Sequence, residues 1–264
     1  EAEEQSVEEA SKLSSRLIYE VIRREGEEEL SRPLMSLLWS GVAAGLLIST
    51  SVLGEAILRG YLPDTGWRFL IENFGYSLGF LLVIVGRMQL FTENTITTVL
   101  PLVARPTWAN FWCVARLWMV VLGANVVGAF AAAGFIVFSG AFDGPVGAAI
   151  MDLSRHATGF GVVEGFMKAV PAGVIVAAIV WMLPSAENNE FAIIVVFTWL
   201  IAAGDFAHVV AGSVEMGIML MTGGLSELHG LLRFFLPVLA GNIVGGTIVF
   251  TLMAWGQVKE EVEE

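Results

Sequence analysis

A histidine and a threonine lie in polar interruptions of otherwise apolar sequence, where their side chains could handle a small charged solute. His208 belongs to the string DFAHVVAGS and Thr92 to LFTENT. An imidazole titrates with an unperturbed pKa of about 6.5, so it can lend a proton in the physiological range. A threonine hydroxyl donates one hydrogen bond and accepts two, which suits it to orient a solute or the histidine. The alternatives are a neutral histidine that braces the backbone and a threonine that caps a helix.

Aromatic and acidic residues adjoin both interruptions. Phe91 and Phe206 are candidates for apolar gates, although packing is the commoner role of an aromatic residue in an apolar helix. Glu93 and Asp205 bring carboxyl groups to the same places. An ionised carboxylate in a pore would repel an anion. We therefore expect these acids to be neutralised by a proton, to pair with a base such as Arg87, or to point away; otherwise cations or neutral solutes are the better candidates.

The composition places these residues inside a membrane. Of the 264 residues, 56% are hydrophobic and 15% are charged. Soluble domains contain about a quarter charged residues. Ten of the 26 acidic residues lie in positions 1–30 and four in the last five, so the net charge of −12 sits mostly on the tails. Nucleic acid is excluded as a partner, since phosphate binding needs a basic face, and the lipid bilayer is the expected surroundings.

Six apolar runs are long enough to cross a bilayer, which predicts an all-α membrane protein. The second and fifth runs contain the two interruptions, so we expect broken helices there. Residues 1–32 have the apolar spacing of an amphipathic helix but are acidic, which favours a solvated cytoplasmic helix packed on a neighbouring subunit. Residues 257–264 form an acidic cytoplasmic tail. The runs cover 34–58, 69–104, 108–139, 160–184, 191–222 and 231–256.

The basic residues predict the orientation of the chain. Five of the fourteen Lys and Arg residues precede the first run. An even number of runs puts both tails on one side, and the positive-inside bias puts that side in the cytoplasm. We expect a multi-pass protein of a bacterial-type inner (plasma) membrane. Within the fourth run, Glu164 and Lys168 stand four residues apart and are expected to pair, because a lone charge at that depth is costly.

An internal repeat relates the two halves of the pore domain, residues 33–256. The segment 121–129 recurs at 238–246, an offset of 117 positions, and both copies contain an asparagine. Each half, about 33–139 and 160–256, holds three runs, so the second copy starts on the opposite side of the membrane. Inverted repeats with broken helices commonly place a solute site near the midplane. Asn125 and Asn242 are predicted to brace the two breaks by bonding the backbone groups freed there.

The strings LFTENT, DFAHVVAGS and LAGNIVGG, set in six runs with inverted halves, resemble the formate/nitrite transporter family. The resemblance covers about residues 33–256 and implies an aquaporin-like protomer assembled as a homopentamer, with a pore through every subunit. It further implies that a loop in the second helix carries Thr92 and a loop in the fifth carries His208, the central histidine that serves a small monovalent anion such as formate or nitrite. The chain departs from the family pattern at Ala207, Gly212 and Gly173, so it resembles a divergent branch.

Taken together, the sequence predicts a channel or facilitator for a small monovalent anion or its weak acid, with His208 as the central histidine. Two alternatives stay open, a pore for a neutral solute or cation and a membrane scaffold that transports nothing. An enzyme is not expected, because the chain has no His-Glu-x-x-His, no Cys-x-x-Cys and no nucleophile elbow. No cofactor, catalytic residue or metal site is predicted.

Overall fold

The computed structural model describes residues 13–263, and within them the regular structure is helical and no strand occurs. The amphipathic stretch gives one helix and the apolar runs give the others. In chain order the helices are α1 Ser15–Ser31, α2 Leu34–Tyr61, α3 Arg68–Val85, α4 Phe91–Thr97, α5 Val99–Ala104, α6 Trp108–Phe138, α7 Gly144–Ala157, α8 Val162–Ser185, α9 Glu190–Ala203, α10 Val209–Met221 and α11 Glu227–Val262.

Five of the described helices, α2, α3, α6, α8 and α11, are long and apolar enough to cross a membrane. The fifth predicted run is divided between two shorter apolar helices, α9 and α10. The third run, which is long for one crossing, is the unbroken 31-residue α6. The fold is therefore that of a multi-pass, all-α membrane protein in which some apolar segments are broken.

The two breaks lie at 86–90 and 204–208. Both begin with the same helix ending, in which Met88 N–H donates to Val83 O at 3.0 Å and Phe206 N–H donates to Ile201 O at 2.9 Å. Such an ending places one residue in the left-handed region, a position that glycine usually occupies. Here Arg87 (φ 50°) and Asp205 (φ 53°) occupy it.

The expected position of the first break needs a correction. The polar string around Thr92 was predicted to interrupt the second helix, but Thr92 lies in the first turn of α4. The chain leaves the helix five residues earlier, where the ending at Gly86 and Arg87 closes α3. His208, by contrast, is the last residue of its loop and the N-cap of α10.

Close packing of helix pairs follows the inverted repeat. Helix α2 packs on α6, and α8 packs on α11 in the equivalent way. A Cβ atom at Gly45 would lie 2.0 Å from the carbonyl oxygen of Asn125, and one at Gly173 would lie 2.3 Å from that of Asn242. Small residues at these crossings let the backbones touch. The two asparagines are thereby fixed at equivalent depths in the two halves.

Helix α1 packs on its own chain. Its buried residues Ile18, Tyr19 and Ile22 join one cluster with residues of α4, α5, α8 and α11. This buried face is taken up by the helix's own chain. Leu17 and Val21 of the same helix stay exposed, so its packing on a neighbouring subunit stays a prediction for that side. Of the predicted helix 1–32, residues 1–12 lie outside the described part of the chain. Residues of the predicted tail 257–264 continue α11 as far as Val262.

Candidate pore site

Thr92 and His208 meet at the centre of the molecule. The Thr92 hydroxyl lies 2.7 Å from His208 Nε2, and both side chains are buried. Ala211 N–H donates to His208 Nδ1 at 3.3 Å, so Nδ1 is the acceptor of that ring. In a neutral imidazole the other nitrogen then carries the hydrogen. His208 Nε2–H therefore donates to Thr92, and the histidine both caps α10 and contacts the threonine.

Asn125 and Asn242 hold the two breaks by identical sets of hydrogen bonds. The Asn125 amide donates to the carbonyl oxygens of Gly41 and Gln89, each at 2.8 Å, and accepts from Phe91 N–H at 2.9 Å. In the other half, the Asn242 amide donates to Ala169 O at 2.8 Å and to Ala207 O at 2.9 Å. It accepts from Val209 N–H at 2.8 Å. Each side chain thus provides hydrogen-bond partners for backbone N–H and C=O groups that the break in the helix would leave unpaired.

These bonds use up much of the positive end of α10. Val209 N–H and Ala211 N–H, two of the groups a helix N-terminus leaves free, are taken by Asn242 and His208. Bare N–H groups at a helix N-terminus attract anions, and this attraction is correspondingly reduced here. The side chains at the break therefore contribute more to solute binding at this site than the helix end does.

The two phenylalanines predicted as gates have different surroundings. Phe91 is buried and packs edge-on against Trp118, with ring centroids 5.5 Å apart. Phe206 lines a cavity next to His208. A third ring, Phe80 of α3, packs edge-on against the His208 imidazole at 5.0 Å. Sequence reasoning missed Phe80. Its apolar run gives no sign of which aromatic residue contacts a histidine 128 positions later in the chain.

A cavity of about 490 Å³ lies on the side of α1. Its lining is acidic, with Arg87 as a basic member. Gln89 Nε2 donates to Glu29 at 2.6 Å, which ties the first break to α1. Burial raises the pKa of Glu25, an effect that the nearby Arg87 partly offsets. The acidic residues of this lining are Glu25, Glu28, Glu29, Glu93 and Glu190.

A smaller cavity of about 70 Å³ lies on the side of α7 and reaches His208. Asp205 lies at its wall and is paired with Lys168 and with His156, the latter at 2.9 Å. Two further carboxyl groups, those of Glu55 and Glu215, line the same cavity. Sequence reasoning missed both, although a lone acid within an apolar run could have drawn attention to them.

Two expected ion pairs are replaced by others. Lys168 was predicted to pair with Glu164 but pairs with Asp205, because Ala207 N–H donates to the Lys168 carbonyl oxygen at 3.1 Å and seats the loop beside that lysine. Arg87, suggested as a partner of Glu93 or Asp205, instead lies 3.7 Å from Glu25. Arg87 and Asp205 occupy equivalent positions of the two halves, and each lines a different one of the two cavities.

Two half-helices meet at the buried contact between Thr92 and His208, and a repeated asparagine holds each break. This arrangement defines a multi-pass helical membrane protein with an aquaporin-like fold. The sequence model of the family described as formate/nitrite transporter matches residues 16–256, nearly the whole chain. The chain belongs to the formate/nitrite transporter family, whose members are membrane channels and transporters and not enzymes.

Relatives and solved structures agree with this assignment. The chain is 41% identical to the inner membrane protein YfdC of Escherichia coli K12, over 93% of this chain and 79% of that protein. It is 28% identical to the formate channel FocA of Haemophilus influenzae, over 82% and 84% of the two chains. A solved pentameric formate channel with formate bound superposes with a TM-score of 0.74 at 21% identity and covers 86% of this chain and 97% of its own.

Proposed function

We propose that this protein is a channel for a small monovalent anion or its weak acid, of the size of formate or nitrite, with His208 and Thr92 at the centre of its pore. The observation that supports this most is their 2.7 Å contact at the meeting of two broken helices. One cavity reaches His208 from the α7 side, and the other reaches Leu90 and Glu93, on either side of Thr92, from the α1 side. The relative FocA and the solved pentameric channel, which both carry formate in their names, support the solute class.

The proposed role of His208 is to exchange a proton with the solute at the narrowest point. A charged solute is costly to move through an apolar constriction, whereas a neutral one is not. The imidazole is bonded on both nitrogens and packed against Phe80, so its position is fixed while it exchanges a proton. Thr92, Phe91 and Phe206 would shape the constriction around it.

His208→Asn tests this role. Asparagine keeps a hydrogen-bonding side chain but does not titrate, so we expect formate flux into proteoliposomes to lose its wild-type pH profile while assembly is retained. His229→Asn is the matched control, because His229 is exposed and lies outside both cavities. An assembled His208→Asn channel with the wild-type pH profile would contradict the proton-partner role.

A pore for a cation or a neutral solute is a second candidate, favoured by the acidic linings of both cavities. Flux and reversal potentials of Asp205→Asn and Glu93→Gln separate the two. Faster anion flux after neutralisation means that the acids oppose anions, and loss of a cation current would overturn the anion channel. A wild-type protein that passes no solute at all would instead fit a membrane scaffold.

We further propose a homopentamer in a bacterial-type inner membrane, with both termini in the cytoplasm. The fold shared with a pentameric channel and the name of the relative YfdC support the assembly and the membrane. Large apolar side chains on the surface of α6, such as Trp108, Trp112 and Met119, supply area for lipid or for a second subunit. Native mass spectrometry of the detergent-purified protein tests the subunit number.

A further inference from the structure

Three polar side chains converge in the cavity on the α7 side. Glu55 comes from α2, Tyr76 from α3 and Glu215 from α10. Helices α2 and α3 touch so closely that a Cβ atom at Gly75 would lie 2.2 Å from the Gly54 carbonyl carbon. The Ser51 hydroxyl donates to the Tyr76 carbonyl oxygen at 2.5 Å. This packing fixes Tyr76 beside Glu55 at the wall of a cavity of about 70 Å³, which is the size of a very small molecule.

These three side chains differ from their charged neighbours because they have no partner within residues 13–263. Asp205 is paired with Lys168 and His156, and Glu72 is paired with Arg59 and Arg68. Among the contacts of the described chain, none involves the carboxyl group of Glu55, that of Glu215 or the hydroxyl of Tyr76. Tyr76 is only 8% exposed, so its hydroxyl faces a confined space rather than bulk water. A hydroxyl that lines this cavity and has no partner in the described chain offers one donor and two acceptor positions to a ligand.

We propose that Glu55, Tyr76 and Glu215 form a binding site for the protonated, neutral form of a small weak acid. A neutral acid has one O–H donor and one carbonyl acceptor. The donor suits a glutamate carboxyl, and the acceptor suits the Tyr76 hydroxyl. The anion of the same acid has acceptors only and is repelled by carboxylates. This acid-binding site rests on the proposed function and specifies the form in which the solute reaches the pore.

The acid-binding site leads directly to the central histidine. Tyr76 and Phe80 are ring neighbours at 5.3 Å, and Phe80 packs against the His208 imidazole at 5.0 Å. His208 itself lines the same cavity. A neutral acid bound between Glu55 and Glu215 therefore lies next to His208, the group proposed to exchange its proton. The rings of Tyr76 and Phe80 lie between the acid-binding site and His208.

Other titratable groups face this cavity and could also affect the pH profile of uptake. Asp205 and His156 lie at its wall with Lys168 behind them, and His208 closes its inner end. Glu72, paired with its two arginines, belongs to α3, which packs against the helix of Glu55. These groups are unchanged in the variants below, so any change in pH profile is assigned to the acid-binding site.

The test is formate uptake into proteoliposomes across external pH, with protein-free liposomes subtracted. If the site takes the neutral acid, wild-type uptake at fixed total formate falls about tenfold per pH unit above the pKa of the acid. In Glu55→Gln/Glu215→Gln the amide N–H groups donate to the anion and no carboxylate repels it, so we expect the fall to shrink to less than ~3-fold per pH unit. Glu227→Gln, an exposed acid on the same side, is the matched control and keeps the wild-type slope.

Nitrate supplies a measurement that needs no variant, because it has no neutral form at these pH values. It is expected to leave wild-type formate uptake unchanged and to compete in the double variant. Tyr76→Phe should raise the concentration of formic acid that half-saturates uptake about tenfold, without changing the slope of uptake against pH. The exposed Tyr61→Phe is its control. Nitrate competition in the wild type, or an unchanged slope in an assembled double variant, overturns the acid-binding site alone. Absence of formate and nitrite uptake by the wild type overturns the proposed function and, with it, this site.

Discussion

The chemistry of a single side chain decides whether each break can exist. An amide offers two donors and two acceptor positions, and Asn242 uses both donors and one acceptor to hold Ala169, Ala207 and Val209. No aliphatic side chain of similar size can replace any of these bonds. The bonds of His208 to Thr92 and Ala211 depend on this placement, since His208 precedes Val209.

Asn242→Ala should therefore destabilise the protein strongly. It leaves one N–H group and two carbonyl groups without partners in a buried place, and we expect a cost of about 2–4 kcal/mol. The melting temperature in detergent measures this loss. Asn188→Ala, at an exposed position between α8 and α9, is the control and should melt as the wild type does. Equal melting of the two variants would show that Asn242 is not a brace.

At the scale of one element, an apolar stripe holds helix α1 against the rest of the chain, and a charge network within α1 stabilises the helix itself. Ile18, Tyr19 and Ile22 supply the stripe. Arg23 bonds Glu20 through two nitrogens, each at 2.8 Å, and Glu27 at 2.6 Å. The hydrogen bonds from Arg23 first, and those from Arg24 to a lesser extent, lower the pKa of Glu20 to about 2.

The pH dependence of α1 follows from that shift. A carboxyl group whose pKa is lower in the folded state stabilises it fully above the unfolded pKa of about 4.3 and loses this contribution as pH falls toward the folded value. We expect α1 to become more susceptible to proteolysis between pH 5 and pH 2.5 in the wild type, as followed with an acid-active protease. Arg23→Gln should be susceptible already at pH 5 and change less with pH. Arg105→Gln, an exposed change outside α1, should behave as the wild type.

At the scale of the whole molecule, both ends of the described chain lie on one face. The Gln257 amide donates to the Ser15 hydroxyl at 2.7 Å, which joins the end of α11 to the start of α1. Helix α2 leaves that face, and its 28 residues carry the chain about 42 Å along its axis to the loop before α3. The two cavities therefore open toward opposite faces.

Cysteine labelling in intact cells tests which face is cytoplasmic. With the exposed Cys113 first changed to serine, a membrane-impermeant maleimide should label Gly66→Cys from outside and label Glu260→Cys only after permeabilisation. Both positions are exposed, and the space around Gly66 is open. Labelling of Glu260→Cys in intact cells would reverse the proposed orientation.

The sequence by itself determined the class of this protein. Apolar runs of membrane length, polar strings at two places and one repeated asparagine were enough to predict an all-α membrane fold with broken helices and to select Asn125, Asn242, Thr92 and His208. These features are readable because they follow local rules. A bilayer demands a fixed length of apolar residues, and a broken helix within it demands nearby polar partners.

Only the tertiary structure decided which side chains meet. The helix ending at Arg87 placed the first break ahead of Thr92, and the loop bond to Lys168 gave Asp205 its partner in place of Glu164. Glu55, Tyr76 and Glu215 come from three helices and share one cavity, and α2 and α3 approach each other there through Gly54 and Gly75. Such encounters depend on helix crossing and rotation, which the spacing of residues along a single run does not determine.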